Sequence, residues 1–217
     1  PTATKSITVT NIGAINPILV SDAINDTFCT GENINFTVTS PLVGITNYRF
    51  TGNGGRLIQT GTSSTTSDTA LSNNEIIRVE LTLATGCTAV ATLTMIENIV
   101  AAGTISPANQ TICSGASPTI LTGTASPSFT AGATVTYEWQ SSTAFDGFTS
   151  VYSRNLAATE NYQPGILTQN TQFRRVDLIE LNNKTCSDTT NVITVNISAG
   201  PGGDLWMNIP STGVNSD

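Results

Sequence analysis

Short runs of alternating apolar and polar residues recur along the chain, separated by clusters of Gly, Asn, Pro and Ser. Alternation with a period of two is typical of a β-strand that buries one face. The clearest run is 76–83, in which four side chains are expected to face the core: Ile77, Val79, Leu81 and Leu83. No run has the spacing of an amphipathic helix, so the pattern predicts an all-β protein.

A second long strand is predicted at residues 172–181, where the alternation changes phase. Val176 and Leu178 keep one phase, whereas Ile179 and Leu181 take the other. A change of phase within one strand indicates a β-bulge or a twist.

The four cysteines fall at two repeated positions. Phe28-Cys29-Thr30-Gly31 is echoed by Ile112-Cys113-Ser114-Gly115, and one further cysteine, Cys87 or Cys186, lies towards the end of each half. An internal repeat of this length predicts two copies of one module, each near the common domain size of about 100 residues.

The repeat predicts modules at residues 13–98 and 99–198. Ile7-Thr8-Val9 has the form of the last strand of each module, so residues 1–12 are expected to be the last strand of a preceding repeat. Residues 199–217 begin with Gly and Pro and are expected to be a linker or the start of a following unit. We therefore expect a segment of a longer array.

Four cysteines allow three connectivities. One cysteine near the start and one near the end of each module favour an intradomain disulfide in each, Cys29 with Cys87 and Cys113 with Cys186. Structural disulfides persist outside the cytosol, so we expect a secreted protein at the extracellular cell surface.

The amino-acid composition argues against several classes of function. Only 11% of residues are charged and the net charge is −7, which is unlike a nucleic-acid-binding surface. No apolar run approaches the roughly 20 residues of a membrane span. Histidine is absent, so Ser-His-Asp and Cys-His sites cannot form, and we expect no enzyme and no cofactor.

Acidic residues offer two candidate chemistries, and solvated surface acids are the favoured interpretation of both. Paired carboxylates of the glycosidase type would come from Asp22, Asp26, Glu32, Asp146, Glu160 and Asp177. Calcium would bind at the cluster of Asp22, Asn25 and Asp26, although the loop lacks an EF-hand pattern and a turn is favoured. The adjacent Arg174 and Arg175 are interpreted as a solvated, charged strand edge.

The second half resembles a known family in five stretches, at residues 137–142, 145–148, 161–164, 171–176 and 185–195. These stretches, which include Tyr-Glu-Trp-Gln-Ser-Ser and Phe-Arg-Arg-Val, resemble immunoglobulin-like or PKD-like repeats of very large surface proteins of Bacteroidota. That group includes gliding-motility adhesins and other substrates of type IX secretion. The first half keeps only the cysteines, an aromatic pair and the last strand of the pattern.

The resemblance implies two tandem immunoglobulin-like β-sandwiches that act as a non-catalytic, adhesive stalk. The alternative is a carbohydrate-binding or spacer module of a secreted polysaccharide hydrolase. Expected partners are adjacent repeats of the same chain, and surface glycans or a secretion or motility complex. Against antibody domains the spacing from Cys113 to Trp139 is long, so we expect each disulfide near one end of its sandwich.

Two further features would bear on surface function. Asp68-Thr69-Ala70 and Asp188-Thr189-Thr190 resemble the O-glycosylation acceptor of secreted Bacteroidota proteins, which makes Thr69 and Thr189 candidate sites. Phe145, Phe148 and Tyr152 lie close together around a predicted turn and are candidate ligand contacts. A hydrophobic lid over the sandwich end is the favoured alternative for these aromatic residues.

Overall fold

A computed structural model of the chain describes residues 16–39, 43–143, 147–152 and 161–198. Within these ranges the chain forms strands and turns, with short 3-10 turns at Ile24–Asp26 and Asn53–Gly55 and no α-helix. The all-β prediction is confirmed. The segments predicted at residues 1–12 and 199–217 lie outside the described residues.

The described residues form 18 strands. The first eight are β1 Leu19–Ser21, β2 Thr27–Cys29, β3 Ile34–Val38, β4 Ile45–Thr51, β5 Leu57–Gly61, β6 Thr65–Asp68, β7 Glu75–Leu83 and β8 Thr88–Asn98. The others are β9 Val100–Ala101, β10 Thr104–Ser106, β11 Gln110–Cys113, β12 Thr122–Ala125, β13 Ser128–Phe129, β14 Thr134–Ser142, β15 Thr149–Tyr152, β16 Thr171–Leu181, β17 Lys184–Thr189 and β18 Ile193–Ser198.

The strands belong to two compact units. The first unit comprises the described residues up to Ala101 together with Ser128–Val135 and Leu178–Ser187. The second comprises Ala102–Pro127, Thr136–Asp177 and the described residues from Asp188 onward. The tip of the β16–β17 hairpin therefore belongs to the first unit, although its sequence lies in the second module.

Two sheets enclose the core of the first unit, one in the order β1-β3-β6 and the other in the order β2-β8-β7-β4-β5. The alternation predicted for β7 is confirmed, because its apolar side chains at positions 77, 79, 81 and 83 are all buried. The side chains at 77, 79 and 81 share the core with side chains of both sheets, including Leu19, Phe28, Ile34, Phe36, Phe50 and Met95. Full burial of each such side chain stabilises the fold by about 1.5–3 kcal/mol.

A second sandwich core is built around Trp139, which is fully buried. Its ring stacks on Tyr162 at a centroid distance of 5.6 Å, and Tyr162 lies 6.0 Å from Phe173. The strands around this core follow the order β11-β18-β16-β14-β15, with β17 paired to β16, and β10 pairs with β12. The remaining buried members of the cluster are Ile105, Leu121, Ile193 and Val195.

One face of β16 is buried from Thr171 to Ile179, and Val176 on the other face is buried as well, which differs from the change of phase predicted from the sequence. Phe173, Arg175, Asp177 and Ile179 are all buried, at every second position. The alternation looked broken because two of the inward positions are charged. The interpretation of Arg175 as a solvated edge, and of Asp177 as a surface acid, is therefore wrong.

Arg175 and Asp177 are tolerated in the interior because each satisfies the other. Arg175 Nε donates to Asp177 Oδ1 at 2.6 Å and Arg175 Nη2 donates to Asp177 Oδ2 at 3.0 Å. The backbone N–H of Gly103 also donates to Asp177 Oδ2, at 2.8 Å, and the guanidinium lies 4.3 Å from the centre of the Tyr137 ring. A paired, hydrogen-bonded ion pair avoids most of the cost of burying an isolated charge.

Removing one charge of this pair tests how much the second unit depends on it. Asp177→Asn is expected to lower the free energy of unfolding by about 3–5 kcal/mol, because it removes the carboxylate charge that pairs with the buried Arg175 guanidinium. Urea unfolding followed by tryptophan fluorescence would measure the change. The matched control is Glu180→Gln, which removes an exposed charge from the same strand and should change stability by no more than about 0.5 kcal/mol. Equal effects of the two substitutions would contradict the assignment.

Candidate functional site

A single disulfide joins Cys29, at the end of β2, to Cys186 in β17, with a Cα–Cα distance of 5.6 Å and a sequence separation of 157 residues. Cys87 and Cys113 are free and exposed. The predicted pairs, Cys29 with Cys87 and Cys113 with Cys186, are therefore wrong, as is the expectation of one intradomain disulfide in each module. Both cysteines of the observed bond lie in the first unit.

The strand pairing of β2 explains why Cys29 does not bond to Cys87. Strand β2 runs parallel to the end of β8, and Cys29 lies opposite Asn98. Cys87 immediately precedes the start of β8, 98 − 87 = 11 residues away along an extended strand. At about 3.3 Å per residue the separation is about 36 Å, far beyond the roughly 7 Å limit between the Cα atoms of a disulfide.

Hydrogen bonds hold the tip of the β16–β17 hairpin beside β2. Asn25 Nδ2 donates to the carbonyl of Asn182 at 2.8 Å, and Asn182 Nδ2 donates to Thr27 Oγ1 at 3.0 Å. Asn182 and Asn183 form the turn of the hairpin with φ values of 51° and 65°. Asparagine adopts this left-handed conformation more readily than most residues, so the turn presents its polar groups to β2 at low cost.

Asn98, the last residue of β8, also binds this hairpin through hydrogen bonds. Its side chain is fully buried, and its Nδ2 donates to the carbonyls of Ile179 at 2.9 Å and Lys184 at 3.0 Å. One amide group thereby satisfies carbonyls on both strands of the hairpin. Each such hydrogen bond contributes on the order of 1 kcal/mol.

An ion pair completes the surroundings of the disulfide. Lys184 Nζ donates to Glu32 Oε1 at 2.6 Å, and Glu32 Oε2 accepts the backbone N–H of Cys29 at 2.9 Å. Burial acts to raise the pKa of Glu32, but the Cys29 N–H and the Lys184 ammonium outweigh it and hold the pKa below its ordinary value of 4.5. We call this set of Cys29, Cys186, Asn98, Glu32 and Lys184 the Cys29 staple.

The Cys29 staple has the contacts of a structural crosslink: Asn98 Nδ2 and Glu32 Oε2 bind backbone groups, and Lys184 holds Glu32 in place. Its sulfur atoms are already bonded to each other, so neither is a free nucleophile. The chain has no histidine to act as a base at neutral pH.

The predicted calcium cluster is a hydrogen-bonded turn. The Asp22 carboxylate accepts hydrogen bonds from the backbone and side-chain nitrogens of Asn35, at 2.9 and 2.6 Å, and the side-chain bond is the main cause that lowers the pKa of Asp22. Asp26 Oδ1 accepts a hydrogen bond from Ser21 Oγ at 2.7 Å. Among the described residues, no group of three His, Cys, Asp or Glu side chains is placed to hold a metal ion.

The predicted carboxylate pairs are only partly within the described residues. Asp146 and Glu160 lie outside them. Glu32 belongs to the Cys29 staple, and Asp177 belongs to the buried ion pair with Arg175. The described members of the set are therefore occupied by structural contacts.

The two candidate glycosylation residues, Thr69 and Thr189, are both exposed. The aspartate that precedes each is a hydrogen-bond acceptor for backbone: Asp68 Oδ1 accepts the N–H of Ala70, and Asp188 Oδ2 accepts that of Ala102, both at 2.9 Å. Glycosylation at Thr69 and Thr189 stays a prediction.

The predicted aromatic contact surface has one member whose side chain is described. Phe148 is half-buried, and the guanidinium of Arg174 lies 4.1 Å from the centre of its ring. Tyr152 ends strand β15, and Phe145 lies outside the described residues. The ring of Phe148 is thus engaged by a cation of its own chain.

Comparison with known proteins identifies the fold. Residues 101–199 match a family model described as a domain of unknown function, DUF8696. No curated protein matches the sequence. Among solved structures, the three N-terminal domains of the bacteriophage RB49 highly immunogenic outer capsid protein (Hoc) align with a TM-score of 0.51 and 11% identity, over 84% of this chain and 70% of that one.

The fold is immunoglobulin-like. Similar structures include fibronectin(III)-like modules of Clostridium thermocellum CbhA, with 14% identity and a TM-score of 0.43 over 83% of this chain and 94% of that one. Murine CEACAM1b is similar with 12% identity and a TM-score of 0.37, over 83% of this chain and all of that one (100%). At such low identity these likenesses concern the fold alone. Within the described residues no helix is long and apolar enough to cross a membrane.

Replacing Lys184 tests the electrostatics of the Cys29 staple. In Lys184→Gln the pKa of Glu32 is expected to rise towards its ordinary value of 4.5, because burial is then opposed only by the Cys29 N–H. NMR titration of the Glu32 carboxyl carbon would measure the pKa. Since a lowered pKa stabilises the folded state above 4.5 and loses that contribution as the pH falls through the folded value, the variant should lose less stability on acidification.

The matched control for this titration is Arg49→Gln, which removes one positive charge from an exposed position of β4. The pKa of Glu32 should stay at its wild-type value in that variant. A shift of the same size in both variants would show that net charge, rather than the Lys184 contact, sets the pKa.

Proposed function

We propose that this protein is a non-catalytic structural segment of a large secreted bacterial surface protein, of the gliding-motility adhesin type. In this role its immunoglobulin-like modules form a stalk that holds adhesive parts of the molecule away from the cell. The observation that carries the proposal is the Cys29–Cys186 disulfide, which crosslinks positions 157 residues apart.

The disulfide changes how a pulling force would pass through the chain. Tension applied to the two ends reaches Cys29 and then crosses directly to Cys186 through the S–S bond. The residues enclosed between them carry no tension while that bond is intact. A covalent bypass of this kind suits a segment that must stay folded when the surface it links to moves.

Three features support an extracellular bacterial surface as the setting. The bonded pair of cysteines favours an oxidising compartment. The sequence resembles repeats of type IX-secreted Bacteroidota proteins over residues 99–198. The internal repeat of the sequence makes adjacent repeats of the same chain the first expected partners. Surface glycans, or a secretion or motility complex, are the further partners we propose.

Single-molecule stretching would test the load-bearing role directly. Oxidised protein should extend less than reduced protein, because reduction releases 157 residues of contour between the two cysteines. At about 3.3–3.6 Å per residue, the difference in contour length should be roughly 500–570 Å. It should appear as one gain in length that depends on reduction of the disulfide.

Two outcomes would contradict this expectation. Equal contour length before and after reduction would mean that the disulfide does not shield the chain. Separate gains of about 200 and 250 Å, the lengths of the 58-residue and 73-residue loops, would instead indicate the pairs Cys29 with Cys87 and Cys113 with Cys186. A variant with Cys87→Ser and Cys113→Ser serves as the control and should stretch as the wild type does.

A further inference from the structure

The free thiol of Cys113 occupies the same place in its sheet as the bonded sulfur of Cys29. Strand β11 pairs in parallel with β18, and Cys113 lies opposite Ser198 at the end of that pairing. Cys29 lies opposite Asn98 at the end of the parallel pairing of β2 with β8. The two cysteines are therefore equivalent in register as well as in sequence.

The backbone turns in the same way after each cysteine. Gly31 and Gly115, two residues beyond, have positive φ values of 76° and 83°. The carbonyl of Cys29 accepts the N–H of Glu32 at 3.0 Å, and the carbonyl of Cys113 accepts the N–H of Ala116 at 3.1 Å. The turn that presents Cys29 to its partner thus also presents Cys113.

Cys87 is the counterpart of Cys186, the other half of the bond. Cys87 follows the turn between β7 and β8, and Cys186 follows the turn between β16 and β17, so each cysteine lies just beyond the turn of a long hairpin. Cys186 is 3% exposed in its disulfide, whereas Cys87 is exposed. The chain therefore carries one bonded pair and one unbonded copy of each partner.

The two cysteine positions of the first module lie at opposite ends of β8, about 36 Å apart by the length of an extended strand. A cysteine of the Cys29 type is consequently out of reach of the hairpin cysteine of its own module. The observed bond takes its hairpin cysteine from the next module in the sequence. The same rule leaves Cys113 in need of a hairpin from a following module, and Cys87 in need of a strand-end cysteine from a preceding one.

We propose that Cys113 and Cys87 are the two halves of a disulfide between modules of one type, in which a strand-end cysteine bonds to a hairpin cysteine as Cys29 bonds to Cys186. The partner of Cys113 is a hairpin cysteine of the Cys87 type on another immunoglobulin-like module. A contact between unlike surfaces is heterologous, so it can be repeated head to tail along a series of modules. This inference does not depend on the stalk function and concerns only which thiols pair.

The bond forms by thiol–disulfide exchange with a small-molecule disulfide such as oxidised glutathione. The Cys113 thiolate attacks one sulfur of the oxidant and expels a glutathione thiolate, which leaves a mixed disulfide. The Cys87 thiolate of the second module then attacks the Cys113 sulfur and expels the second glutathione thiolate. Two protein thiols lose two protons and two electrons, and one oxidised glutathione becomes two reduced molecules.

A second copy of this chain supplies the partner module for a test. Cys87→Ser protein, which keeps Cys113, is mixed in equal amounts with Cys113→Ser protein, which keeps Cys87, in a glutathione redox buffer. Both positions are exposed, so each substitution should change stability by no more than about 0.5 kcal/mol. Isotope labelling of one variant distinguishes mixed from like dimers by mass spectrometry of the unreduced protein.

Random pairing would make mixed dimers as abundant as the two like dimers together. We expect an excess of mixed dimers of about tenfold or more, since a preference of 1.4 kcal/mol already produces that ratio. Peptide mapping should find Cys113 bonded to Cys87 and the Cys29–Cys186 bond unchanged. Random proportions, no dimers, or in the wild type a Cys87–Cys113 bond within one chain would each overturn the proposal.

A displaced thiol is the matched control. Thr62→Cys, in a chain that also carries Cys87→Ser and Cys113→Ser, puts an exposed thiol elsewhere on the first module. Mixed with the Cys87→Ser protein, it should return the random proportions. An equal excess of mixed dimers with the displaced thiol would show that exposure alone, and not the position of Cys87, drives the pairing.

Discussion

The parallel pairing of β2 with the end of β8 is the constraint on which the rest of the arrangement depends. It is only three residues long, with Thr27 opposite Ile96 and Cys29 opposite Asn98. Because β8 is 11 residues long, this register places the first cysteine at the end of the strand away from the hairpin that precedes it. The hairpin tip that reaches Cys29 is supplied by β16 and β17, and Asn98, Glu32 and Lys184 add polar contacts to the covalent one.

Each unit contains a buried acidic side chain that is paired with an arginine. Glu75, which is 2% exposed, is bound by Arg56 at 2.7 Å, and Arg56 also reaches Asp68 at 2.6 Å. Burial alone would raise the pKa of Glu75, but the hydrogen bonds from Arg56 and Ser72 lower it. In the second unit Arg175 and Asp177 play a similar part within a single strand. The Glu75 contact also helps to define the register of β7, since a shift of that strand would leave Glu75 buried without Arg56.

Periodicity predicted the all-β class and strand β7 well, because alternate side chains of β7 are buried. Strand β7 shows the pattern in its plain form from Ile77 to Leu83, where every inward position is apolar. Strand β16 hides the same pattern, since an arginine and an aspartate occupy inward positions and only their mutual contact reveals them as core residues. The sequence did carry one signal, because Arg175 and Asp177 continue the every-second-residue spacing that begins at Phe173.

The cysteine positions were visible in the sequence, but their pairing was not. Pairing depends on the direction in which β2 runs in its sheet. A strand of three residues is too short for its sequence pattern to indicate whether the neighbouring strand is parallel or antiparallel. The sequence analysis also missed the structural roles of Asn98, Asn182 and Lys184. Each of these side chains binds a segment more than 80 residues away in the sequence, and such contacts leave no local pattern. The unequal exposure of the four cysteines likewise appears only when the chain is folded.

The long span of the Cys29–Cys186 bond also bears on proteolysis. A protease that cuts one peptide bond anywhere between these cysteines produces two chains that remain joined through sulfur. The segment that precedes Cys29 and the segment that follows Cys186 therefore stay in one covalent molecule after such a cut. A surface protein built in this way would tolerate nicking of its exposed turns without shedding what lies beyond them.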